Sequence, residues 1–218
     1  MRNLLIVLSI LLLPLTTARA DVSVGVGVGI NVPGASIGIQ MSNYPRLVPI
    51  PGYPVYYDPY IALNFFFYDG MYWVLQGDSW YVSSWYNGPW QLVAPMYVPA
   101  YILRIPVRYY RRPPAYFRGW HRNEAPRWGE HWGRDWEQQR KGWNQWDRRS
   151  TPHYAPLPSY QRHYSGKRYP REMERQRSIE SRQYRYQPRS SETQRFYQQQ
   201  RRQSDQRRRD EGRGHDRR

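Results

Sequence analysis

The pattern of apolar and polar positions changes period several times along the chain. Residues 65–93 read FFFYDGMYWVLQGDSWYVSSWYNGPWQLV, the densest aromatic run, with closely spaced turn signals and almost no charge. Asp69-Gly70 between apolar runs suits a two-residue type I′ hairpin, whose central residues both need φ > 0. That register sets Tyr68 opposite Met71, Phe67 opposite Tyr72 and Phe66 opposite Trp73. Aromatic pairs across strands contribute roughly 0.2–1 kcal/mol each. Gln76-Gly77-Asp78 marks a second turn, after which Trp80-Tyr81-Val82 runs as a third strand. Pro89 follows Asn87-Gly88 and favours a looser corner, since a residue before proline is pushed towards extended backbone. Gln91-Leu92-Val93 then makes a short fourth strand. The run predicts a small antiparallel β-meander.

Upstream, Val22, Val24, Val26, Val28, Ile30 and Val32 alternate with Ser23, Gly25, Gly27, Gly29 and Asn31. This period of two predicts a strand. Pro33-Gly34 is a turn, and Ile37, Ile39 and Met41 resume the alternation, giving a hairpin. Its glycine face admits close approach of another backbone. Packing on the meander and self-association through an uncharged edge are both open. Residues 43–60 are rich in proline and tyrosine, which forbids helix and central strand and predicts extended chain over the sheet. Residues 94–110 continue in that style, with one further short strand expected from Tyr101-Ile102-Leu103 and Val107.

Beyond RRPP at 111–114 the period becomes helical. Trp128, Trp132, Trp136, Trp143 and Trp146 fall within an arc of about 80° at 100° per residue. Arg127, Glu130, Arg134, Glu137, Lys141 and Arg148 take the opposite side. Pro126 suits a first turn and Pro152 lies past the end. A helix is expected over 127–149, although Gly129, Gly133 and Gly142 weaken it by roughly 1 kcal/mol each. The stripe has three readings: docking on the meander or on a second copy, an interfacial membrane helix, or a stacking surface for glycan. Residues 166–218 are rich in arginine, glutamine, serine and tyrosine. They lack the apolar area to offset ordering entropy, so no stable structure is expected, and helix over 173–187 and 194–209 is expected only transiently.

The first twenty residues read as a signal peptide: Arg2, an apolar run over 4–15, and Ala18-Arg19-Ala20 as an A-x-A site cleaved after Ala20. The apolar run is short for a membrane span. The chain has no cysteine, which excludes disulfides, thiolate metal sites, a cysteine nucleophile and a lipobox. Export without disulfides suits a bacterial envelope.

Charge is unevenly laid out. The exported chain keeps 31 basic and 17 acidic residues, a net of +14; residues 21–103 carry −3, 104–165 carry +8 and 166–218 carry +9. Only Lys141 and Lys167 are lysines. Arginine offers a planar fork for phosphate and carboxylate and stacks on aromatic rings. Arg201, Arg202, Arg207, Arg208 and Arg209 are the densest cluster. Arginine among aromatics resembles disordered nucleic-acid binders, but export separates the chain from nucleic acid. Anionic lipid, lipopolysaccharide and cell-wall glycan are the polymers it would meet; a solvated tail without a fixed partner is the plainer reading.

Catalytic patterns are missing. His131 and Asp135 stand four apart without a third ligand at motif spacing and read as a solvated pair; there is no HExxH, no G-x-S-x-G and no phosphate loop. Asp69 and Asp78 are turn residues. No enzyme activity, metal or cofactor is expected.

The segments VGVGINVPGASIGIQ, LVPIPGYPVYY, FFYDGMYWVLQGDSWYVSSWYNGPWQLV, IPVRYYRRPPAYFRGW and RWGEHWGRDWE resemble a group of exported proteobacterial proteins, the YXWGXW-type repeat proteins. The resemblance covers most of the exported chain. It implies a Gram-negative envelope location and brings no active-site residues to carry over.

The expected architecture is mainly β. It comprises a signal peptide at 1–20, an aromatic β-domain at 21–110, a linker at 111–126, an amphipathic helix at 127–149 and a disordered tail at 150–218. The expected role is a non-enzymatic protein, periplasmic or outer-membrane-associated, that binds anionic polymers or membrane through aromatic and arginine-rich segments. The alternative is a self-assembling structural protein built on the glycine-valine hairpin.

Overall fold

Strand pairing starts at the hairpin that the sequence marks most clearly. In the computed structural model, which describes residues 24–29, 36–41, 44–158, 170, 172–184 and 186–215, Asp69 has φ 51° and Gly70 φ 78°. These left-handed values are what a type I′ turn requires. The turn joins β5 (Asn64–Tyr68) to β6 (Met71–Gln76), with Phe66 paired to Trp73, Phe67 to Tyr72 and Tyr68 to Met71, the expected register. β7 (Ser79–Ser83) follows, with Leu75 opposite Trp80 and Trp73 opposite Val82. β8 (Gln91–Val93) pairs with β7 after a corner containing a cis Gly88–Pro89 peptide.

The proline-rich stretch does more than lie over the sheet. It supplies β3 (Val48–Pro49) and β4 (Val55–Tyr57), completing a six-stranded antiparallel sheet in the order β3-β4-β5-β6-β7-β8. Pro49 is tolerated because β3 is an edge strand; β4 is the proline-free triplet Val55-Tyr56-Tyr57. The glycine-valine hairpin forms a separate two-stranded sheet of β1 (Val24–Gly29) and β2 (Ser36–Met41), in which Val26 faces Ile39. β2 lies against β8. The Asn87 side chain holds it there, accepting from the Met41 N–H at 2.8 Å and donating to the Met41 carbonyl at 3.3 Å. The expected leader at 1–20, the expected Pro33-Gly34 turn and residues 159–169 of the tail lie outside the described residues.

The continuous apolar run in β5 and β6 has a physical reason: both faces of the sheet are covered. Phe66, Tyr68, Met71, Trp73, Leu75, Trp80 and Val82 point into one core. Phe65, Phe67, Tyr72, Val74 and Tyr81 point into the other, which Ile37, Ile39 and Met41 of the hairpin close together with Trp85, Tyr86 and Trp90.

The first core is roofed by residues 95–146. Each of its four short opening turns begins at a proline: the 3-10 turn Pro95–Tyr97, α1 (Ala100–Leu103) behind Pro99, the 3-10 turn Val107–Tyr109 behind Pro106, and Ala115–Phe117 behind Pro114. At the last three the proline is the N-cap, and its carbonyl accepts from the first turn: Pro99 from Ile102 at 3.0 Å, Pro106 from Tyr109 at 3.0 Å and Pro114 from Phe117 at 2.9 Å. Tyr101-Ile102-Leu103 is therefore helix and Val107 opens a 3-10 turn, where a strand was expected. The expected linker at 111–126 is part of the roof: Phe117 is buried, Asn64 bridges both backbone polar groups of Arg112 at 2.6 and 2.9 Å, and Val107 and Arg108 donate to the carbonyls of Glu124 and Arg122 at 2.9 Å.

The expected helix over 127–149 is broken into α2 (Trp128–Trp132) and α3 (Arg134–Gln139), followed by a turn at Gly142 and the 3-10 turn Arg148–Ser150. The break is Gly133, at φ 85°, a conformation that glycine adopts without steric cost. The tail, expected without stable structure, contains α4 (Met173–Gln183) and α5 (Ser191–His215). The described chain is therefore an antiparallel sheet enclosed by helical turns, and helical residues outnumber strand residues.

Candidate functional site

The helix α5 is fastened at one end and free at the other. Ser190 caps it, its hydroxyl accepting from the Thr193 N–H at 3.4 Å. The hairpin turn supplies the main anchor. The Asp69 carboxylate accepts from the backbone N–H of Arg189 at 2.7 Å, from that of Ser190 at 2.6 Å and from the Tyr186 hydroxyl at 2.8 Å. Burial and the Asp69 carboxylate push the Tyr186 phenol up to about 12. Gly70 belongs to the same contact: a Cβ there would stand 2.2 Å from the Tyr186 ring. Thr193 and Phe196 then sink into the body, and Tyr197 is half-buried beside Met71.

A second fastening is ionic. Arg140 donates to the carbonyls of Met96 at 3.1 Å and Val98 at 2.8 Å and pairs with Glu192 at 3.3 Å. Burial on its own would raise the Glu192 carboxyl. Its own backbone N–H, the Ser190 hydroxyl, Arg140 and the Ser191 hydroxyl outweigh burial and hold it below the usual range. Arg104 is used in the same structural way, donating to the carbonyls of Gly142 at 3.3 Å and Gln145 at 2.8 Å and, more closely, to that of Trp143.

Past Tyr197 the surroundings change. Gln198, Gln199, Arg201, Arg202, Arg208 and Arg209 are exposed. Among the described residues no carboxylate lies within ion-pair distance of these four arginines. Arg207 is on the same helix, and its side chain lies outside the description. The structure therefore brings the arginine candidates together on one projecting helical segment.

The tryptophan stripe goes the other way. Trp128 is fully buried, and Trp136 and Trp143 nearly so; Trp132 and Trp146 are partly covered. Trp128 donates its indole N–H to the Leu103 carbonyl at 2.9 Å and meets Trp80 edge-on at 6.0 Å. Trp132 stacks on Trp128 at 4.4 Å, and Trp146 lies against Tyr101 and Tyr53, each at 5.2 Å. The stripe is an internal seam that glues α2 and α3 onto the sheet. Its three buried members present no face to lipid or glycan.

Between α5 beyond Phe196 and the β7–β8 end of the sheet lies a groove of about 770 Å³. One wall is apolar, formed by Trp80, Leu92, Pro95 and Tyr97; the other is Gln199, Gln200, Gln203 and Ser204 of α5. Asp78 and Arg208 supply its charged lining groups. The stripe that carries Phe196 inward continues at i+4 and i+7 as Gln200 and Gln203, and both line the groove. The sequence reading missed these residues; the signal was a glutamine run at helical spacing after Phe196.

His131 is not paired with Asp135, since Gly133 separates the two helices that carry them. Its Nε2 contacts the Asp78 carboxylate, and its ring stacks on Tyr116 at 3.7 Å and 7°. Among the described residues no three histidine or acidic side chains converge as a metal site, and no helix is long and apolar enough to cross a membrane.

No family model, curated protein or solved structure matches the chain.

Proposed function

We propose that the protein is a non-enzymatic component of a Gram-negative cell envelope, periplasmic or outer-membrane-associated, that binds anionic surface polymers or membrane through α5. One observation carries this reading. The helix is tied to the body over its first two turns, while Arg201, Arg202, Arg208 and Arg209 stand exposed beyond them. A helix so fastened presents its charges without ordering a free tail on binding, which lowers the entropic cost. Each basic residue near an anionic surface contributes about 1 kcal/mol at low salt. Phosphate-bearing lipid headgroups fit this chemistry best, because the guanidinium fork matches phosphate oxygens. The export expectation and the resemblance to exported proteobacterial proteins support the location.

The test is co-sedimentation of residues 21–218 with anionic vesicles and with purified sacculi, from low to high salt. Vesicle binding should collapse as salt rises. Replacement of the four exposed arginines by glutamine should lower it at least tenfold. Binding that ignores both changes would refute the reading.

A second reading, self-assembly through the glycine-valine hairpin, is favoured by one feature: among the described residues β1 has β2 as its one sheet neighbour. An uncovered strand edge is a template for another chain. Concentration-dependent assembly that persists without residues 166–218 would support it.

A further inference from the structure

We propose that the groove between α5 and the β7–β8 edge is a binding site for a neutral pyranose oligosaccharide. The inference goes beyond the electrostatic reading; it shares Arg208 of the groove lining with that reading but rests on the apolar and amide walls, so either can fail alone.

The two walls ask for different chemistry. Leu92, 41% exposed, with Pro95 and the half-buried Tyr97, offers an apolar surface. Gln199, Gln200, Gln203 and Ser204 face it with amides and a hydroxyl, groups that both donate and accept. A ligand that fills the space must bring apolar surface on one side and many hydrogen-bonding groups on the other. A pyranose ring does so: its axial C–H face packs on aromatic and aliphatic side chains while its hydroxyls meet amides.

Three other occupants fit less well. An acyl chain would set hydrocarbon against the amides of the α5 wall and offer them no hydrogen-bond partner. A polyanion would meet Asp78 as well as Arg208, charges of opposite sign in the same lining. An extended peptide added to β8 would find only three strand residues, Gln91–Val93, and then Pro95, which has no N–H to donate. The groove volume falls in the range of about 300–1,000 Å³ usual for small-ligand sites, which admits a short run of sugar units.

The experiment is isothermal titration of residues 21–218 with chitotetraose and with maltotetraose. It is run at about 0.5 M salt, where screening extends to within roughly 4 Å and the arginine contacts to anions are suppressed. Two lesions on opposite walls are compared with the parent: Gln200→Ala with Gln203→Ala, and Leu92→Ser. All these side chains line the groove at positions outside the cores, and each variant's thermal midpoint is recorded. The expected result is binding of at least one probe, weakened at least tenfold by each lesion, with unchanged low-salt vesicle binding. Binding of neither probe, or binding that both lesions leave intact, would overturn the proposal. If one lesion unfolds the chain, the other decides by the same criterion.

Discussion

The segment 127–146 and the helix α5 are both long, polar-faced stretches of the basic half, yet they end in opposite places. The first carries five tryptophans and folds inward; Trp128, Trp136 and Trp143 are buried and their helix is broken so that each can reach the core. The second carries Phe196 and Tyr197 near its start and no apolar anchor afterwards, and past those two Gln199, Arg201, Arg202, Arg208 and Arg209 are exposed. Position along the chain does not explain the difference. Burial of aromatic area does: a large aromatic brings 150–250 Å² out of water, whereas arginine and glutamine gain little from the interior. The same rule separates the arginines. Arg104 and Arg140 are buried because backbone carbonyls absorb their donors; Arg201 and Arg208 stay in solvent.

The largest expected effect lies in the seam. Trp128→Ala should cost about 3–5 kcal/mol by denaturant unfolding, against less than about 0.5 kcal/mol for Arg201→Ala. Similar costs for the two would erase the distinction between the regions. Next comes the anchor of α5. Asp69→Asn keeps a residue that tolerates the left-handed turn but removes the carboxylate from two N–H groups and a phenol. A loss of about 1.5–3 kcal/mol is expected, seen as faster amide exchange over 189–197 while β6 stays protected.

Acid should loosen the same docking through Glu192. Its folded carboxyl lies below the usual value of 4.5, so it stabilises the docked helix fully above that value. The contribution is lost as pH falls through the folded value. Exchange over 191–197 should therefore rise on acidification below about pH 4.5, and Glu192→Gln should flatten that dependence. The smallest effect on stability belongs to the four exposed arginines. Their replacement by glutamine should shift unfolding by less than about 0.5 kcal/mol while weakening vesicle binding at least tenfold.

The hairpin at Asp69-Gly70 was legible because it is local: two residues with φ > 0 between alternating aromatics admit one register. The unbroken apolar run of β5 and β6 carried the sign that both faces are covered, but the sequence reading did not draw it. The helix break at Gly133 was legible only as a weakness, since glycine marks where a helix can bend, and the core decides that it does. The docking of α5 was not legible, because its anchor lies 120 residues away in the hairpin turn and no local pattern pairs Asp69 with Arg189. Ser190, Glu192 and Phe196 were the available hints: a cap, an acid in the first turn and one apolar residue. Of the candidate site, the arginine cluster was visible as charge density. The groove was not, because it is defined by what Gln200 and Gln203 leave unfilled.

The most direct test of the division between seam and arm is tryptophan fluorescence with anionic vesicles containing brominated lipid, at low and high salt. If the arginine helix makes the contact, vesicles sediment the protein at low salt, emission and acrylamide access stay unchanged, and bromine does not quench. Bromine quenching with a blue-shifted emission that survives high salt would mean that tryptophans enter the membrane, and the account of an internal seam would fall.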